Sequence, residues 1–98
     1  MQIHFQVCPK TKKLTHEELI RSIRYMVAAE FEAVQPYIQL AESIDSELAR
    51  EVLEDIADEE RVHAGEFLRL LKPLAPDEET FSQEGAEKVE EIIQKLKK

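Results

Sequence analysis

Glu30 precedes Glu60 by thirty residues, and His63 follows Glu60 by three. A carboxylate on one helix and a Glu-x-x-His on the next bring oxygen and nitrogen donors to one spot, because residues three apart share a helix face. Such a mixed set suits iron or manganese better than structural zinc, which prefers closed tetrahedral sites rich in Cys and His. The chain carries one copy of each element, which is half of a two-ion ligand set. Two copies packed face to face would bring four glutamates and two histidines, enough for two ions with bridging carboxylates. A complete site therefore requires a second copy of the chain.

The elements that must position these groups are helices. Thr15 with Glu18 three residues later makes a capping box, which starts a helix at about His16. Leu19, Ile20, Ile23, Val27, Val34, Ile38, Ala41 and Ile44 recur at the spacing of one helical face. Pro36 interrupts this run at a cost of about 3 kcal/mol in a helix interior. The stripe continues past it, so the pattern predicts a kinked helix to about Ser43. Asp45 or Ser46 caps a second helix, with Leu48, Val52, Leu53, Ile56, Phe67, Leu70 and Leu71 on one face and Pro73 and Pro76 ending it. The short break at 43–46 makes the two helices antiparallel neighbours. Phe81, Val89, Ile92, Ile93 and Leu96 mark a third, weaker pattern. The expected organisation is an extended tail over 1–13, a helical hairpin over 14–79 and a C-terminal helix over 80–98. The fold class is all-α, an antiparallel two-helix hairpin plus a short C-terminal helix, dimerising into a four-helix bundle.

Residues seven apart on a helix lie almost above one another, with a drift of about 20°. Ile23, Glu30 and Tyr37 form one column in the apolar stripe of the first helix. Leu53, Glu60 and Phe67 form a column on the second, beside Ile56, His63 and Leu70. Charged groups thus occupy positions where leucine is expected, at similar heights on both helices. An unpaired buried carboxylate is costly, so it protonates or finds a partner. Two carboxylates facing an imidazole make a poor core and a good cation cage.

Composition narrows the function classes. The net charge of −8 opposes binding to nucleic acid phosphates. No run approaches the roughly 18 apolar residues of a membrane span. The start, Met-Gln-Ile-His-Phe-Gln-Val, lacks the basic and apolar regions of a signal peptide, and Cys8 is the sole cysteine. A cytoplasmic address is the expectation. His4, His16 and Cys8 call for no function. Tyr37 reads equally as a core aromatic and as a hydrogen-bond partner of a metal ligand. Glu32 faces away from Glu30, as a solvated charge or as an outer cation-attracting residue. Glu59 flanks the site.

The segments Ala28–Val34, Tyr37 and Ala57–Phe67, with Glu30, Glu60 and His63 as their specific part, resemble the encapsulated ferritins of the ferritin-like superfamily. The resemblance covers roughly residues 15–80. It implies a two-helix half ferritin whose di-iron ferroxidase centre forms between two chains, with Glu30, Glu60 and His63 as ligands and Tyr37 close to the metals. It also implies an outer acidic position at Glu32 and a decamer of five dimers joined through the C-terminal helix. The activity implied is oxidation of Fe²⁺ to Fe³⁺ for storage inside an encapsulin nanocompartment, with the encapsulin shell protein as partner. Two features depart from the family pattern. Pro36 lies inside the first helix, and the ending from Glu91 to Lys98 does not resemble a shell-targeting peptide. Some relatives are fused in front of the shell protein. Two other readings stand beside this one: a rubrerythrin-like peroxide reductase, and a metal-free helical oligomerisation or adaptor module.

Overall fold

The computed structural model describes residues 13–97. It contains three helices, α1 (His16–Glu42), α2 (Glu47–Leu74) and α3 (Pro76–Leu96), and no strand among the described residues. The tail expected over 1–13 lies, apart from Lys13, outside the described residues.

The helix boundaries follow from local chemistry. Glu18 N–H donates to Thr15 Oγ1 at 3.2 Å and Thr15 N–H to Glu18 Oε1 at 2.9 Å, which completes the capping box. Of the two candidate caps for α2, Ser46 takes the role, accepting the Ala49 N–H at 3.2 Å. The turn between the helices is closed by Arg50, which donates to the carbonyls of Ile44 at 2.7 Å and Ala41 at 3.3 Å. Those oxygens belong to the end of α1 and its connection, where carbonyls lack partners within the helix.

One helix runs across Pro36, as the sequence predicts, whereas Pro73 and Pro76 act differently from their sequence reading. α1 is one continuous helix across Pro36, whose exposed position leaves the freed Glu32 carbonyl on the solvent side. α2 includes Pro73 in its last turn rather than stopping before it. α3 begins at Pro76, upstream of the residue 80 expected from its apolar pattern. Proline at the first turn removes an N–H that has no helical partner anyway, and Asp77, Glu78 and Glu79 complement the positive end of the helix. Pro76 is thus a start signal as much as a stop.

α1 and α2 pack as an antiparallel hairpin around Ile23, Val34, Ala41, Ala57 and Ala64, all buried. Ala57 and Ala64 are wholly enclosed, and no side chain larger than alanine is. The two ends of the hairpin meet where His16 Nε2 lies 2.8 Å from the Leu74 carbonyl oxygen. Ala75, also buried, is the joint to α3. α3 has no buried residue of its own. Ion pairs of Glu78 with Arg24 and of Glu79 with Lys72 fasten its first turns. Phe81, Val89, Ile92 and Leu96 are each more than half exposed. The radius of gyration is 18.1 Å, against about 13 Å for a compact chain of this length. A fold this open leaves much of its apolar surface in search of cover.

Candidate metal centre

The hairpin brings Glu30, from the middle of α1, opposite Glu60 and His63 on α2. One ligand atom from each of the three lies within 4.8 Å of the others. Two donors each about 2.1 Å from one ion can be at most about 4.2 Å apart. Small side-chain adjustments therefore suffice to close the triad around a cation.

The backbone sets this register. Ala57 and Ala64 flank the Glu60–His63 turn on the α1 side, and their small size lets the helices approach closely at that height. Glu30 is held largely out of solvent, its side chain 15% exposed, whereas the His63 side chain is 46% exposed. His63 Nδ1 stands 3.5 Å from Glu30 Oε2, an ion-pair distance when the imidazole is protonated and too long for a good hydrogen bond. Glu30 Oε2 is buried and has no hydrogen-bond partner. An orphaned buried carboxylate oxygen is costly unless something positive meets it. Glu60 is affected in turn. Its hydrogen bond to Glu30, its partial burial and the negative charge of Glu30 all raise its pKa, with Glu59 adding a little and His63 opposing.

This donor set fits iron. Two carboxylates and one imidazole are hard and borderline donors without thiolate, and the buried Glu30 oxygen without a hydrogen-bond partner stands beside the His63 ring. His63 opens onto a cleft lined also by Glu30, Glu66, Phe67 and Leu70, so one side of the triad is uncovered within a single chain.

The other candidate residues are placed less closely. Tyr37 is half-buried on α1, about 10 Å of helical rise beyond Glu30. It has no hydrogen-bond partner among the described residues. Glu32 is exposed and outside the triad. His16, set aside in the sequence, closes the far end of the hairpin through Leu74. Glu66 lies one turn beyond His63 on α2 and lines the same cleft, outside the triad.

Comparison with known proteins adds to this geometry. A family model described as rubrerythrin matches residues 22–97. The ferritin-like-encapsulin shell fusion protein of Pyrococcus furiosus is 39% identical over 83 residues, covering 85% of this chain and 24% of that protein. The encapsulin nanocompartment cargo protein EncC of Myxococcus xanthus is 38% identical over 77 residues, covering 79% of this chain and 59% of its own. The chain thus spans less than two thirds of the length of either curated relative. The crystal structure of the encapsulated ferritin domain from Pyrococcus furiosus matches with a TM-score of 0.80 and 36% identity, over 93% of both chains.

Proposed function

The chain belongs to the family described as rubrerythrin and to the encapsulated ferritins, and from that premise we propose that it is a ferroxidase whose substrate is Fe²⁺. The observation that carries this reading is the buried Glu30 Oε2, without a hydrogen-bond partner and 3.5 Å from His63 Nδ1, in a triad completed by Glu60. Each ferrous ion gives up one electron. Dioxygen accepts two electrons and two protons and leaves as hydrogen peroxide, or hydrogen peroxide accepts them and leaves as two waters.

Glu30, Glu60 and His63 bind the substrate ion. The low exposure of Glu30 strengthens its attraction for a cation, since screening by water is reduced there. The raised pKa of Glu60 beside Glu30 means that a bound cation competes with protonation there. Tyr37, on the same column as Glu30, serves as a nearby hydrogen-bonding group. Glu32 serves as an outer acidic residue that attracts the ion from solvent.

The functional unit is a dimer. The half-open triad, the exposed His63 and the extended shape support a second copy covering the cleft. Exposed apolar residues of α3 support joining of dimers into a larger ring, a decamer in this reading. Such a ring has no closed interior for a mineral, so oxidised iron passes to storage inside an encapsulin shell in the cytoplasm. The names of the two curated relatives support that location. No helix among the described residues is long and apolar enough to cross a membrane.

The match to a rubrerythrin family model favours a second reading, a peroxide reductase at the same centre. Cys8 is the only cysteine of this sequence, so a four-cysteine iron site supplying electrons would have to lie outside it. Native mass spectrometry with and without Fe²⁺ tests the first reading, reporting assembly size and iron content together. The expected result is about one iron per chain, two per dimer interface. Iron-free monomers under all conditions would overturn it. Turnover with O₂ against H₂O₂ separates the two enzymes.

A further inference from the structure

We propose that α3 is a hinged arm whose angle to the hairpin is set by a salt-sensitive latch, the ion pair of Glu78 with Arg24, acting across a joint at Ala75. Two rotations separate the arm from the hairpin. The Ala75 N–H donates to the Leu71 carbonyl at 2.8 Å, which ties it to α2, and the Ala75 carbonyl accepts the Glu78 N–H at 3.0 Å, which ties it to α3. The φ and ψ of Ala75, −138° and 72°, therefore lie between two rigid bodies. Pro76 crowds its predecessor out of the helical region, so α2 and α3 cannot merge into one straight helix.

The extended range left to Ala75 permits many directions for α3, and packing within the chain chooses little among them. α3 has no buried residue, and among the described residues no Cα of α3 lies within 8 Å of one in α1. Arg24 bridges that gap from α1 and meets Glu78 in the first turn of the arm. Lys72, in the last turn of α2, stands 3.6 Å from Glu79 and spans the joint itself. His16 Nε2, 2.8 Å from the Leu74 carbonyl oxygen, fixes the base on which the arm turns. The Arg24 side chain is 50% exposed and that of Glu78 34%, so dissolved salt reaches the pair. An exposed ion pair biases an equilibrium by about twofold to fivefold. That is too little to hold a packed core and enough to tip an arm that has no packing of its own.

Double electron–electron resonance on the full chain tests this. Nitroxides are placed at Glu54→Cys on α2 and Lys88→Cys on α3, in a Cys8→Ser background. Excess unlabelled chain ensures that distances within one chain are read. At low ionic strength the parent should give one dominant distance. Glu78→Gln and Arg24→Gln should each raise the population away from it about two- to fivefold. The double variant should go no further, because both changes remove the same interaction. Salt at about 1 M should bring the parent to the distribution of the variants, since screening then acts within about 3 Å. Asp77→Asn removes an acid of the same turn without touching the pair and should match the parent. An unchanged distribution in Glu78→Gln overturns the proposal. So does an equal change in Asp77→Asn, which would mark an effect on the helix end, or a double variant whose change is the sum of the two single ones.

Discussion

Glu60 lies against Glu30, and the contact between the two carboxyl groups, with partial burial and the negative charge of Glu30, pushes the pKa of Glu60 above the ordinary glutamate value. The pair has a pH signature. A folded-state pKa raised above the ordinary 4.5 means that the folded chain holds a proton the unfolded chain has released. The contribution is fully present below about pH 4.5 and is lost as the pH rises through the raised value. Thermal unfolding of metal-free protein should therefore show parent stability falling relative to Glu60→Gln across that window. Parallel curves for the two proteins would contradict the pairing.

His63→Ala removes the only nitrogen donor of the triad. Groups one shell outside a metal already matter by about 10–100-fold, so loss of a direct ligand should lower initial iron oxidation by a factor of about 100 or more. Absorbance of the ferric product, followed after Fe²⁺ addition, measures it. Oxidation at the parent rate would remove His63 from the site.

Ala64 is fully enclosed between the helices and adjoins His63 in sequence. Ala64→Leu overfills that seam, which typically costs about 1–3 kcal/mol, and forces α1 and α2 apart at the height of the triad. Metal content should fall more steeply than helicity, because the ligands need a separation and the helices do not. Circular dichroism and bound-iron analysis on one sample check this.

Arg50 holds two carbonyls at the hairpin turn. Arg50→Ala should destabilise the chain by about 2 kcal/mol, since bonds from charged donors are stronger than average and the oxygens lose their partners. Chemical denaturation reads the change.

Ile92→Lys places a charge in the exposed apolar face of α3. Native mass spectrometry should show the larger assembly lost and the dimer retained, with iron per chain unaltered. Loss of the dimer instead would assign α3 to the twofold interface.

Local signals carried much of this arrangement. The capping box at Thr15, the cap at Ser46 and the apolar periodicity fixed the two long helices, because each depends on neighbours three or four residues away. The triad was legible for the same reason: Glu30, Glu60 and His63 occupy stripe positions. The remaining contacts depend on hairpin register. His16 meets Leu74 across 58 residues of sequence, and Arg50 reaches back over the turn, neither with a local pattern. Pro76 misled because one residue type both ends and begins helices, and only the chain direction after Ala75 decides between them.

The seam between the long helices is made chiefly of alanines, small enough for close approach and too small to remove much apolar surface from water. In the dimer proposed above, folding is consequently tied to how much of the chain is present, and dilution would cost structure as well as association.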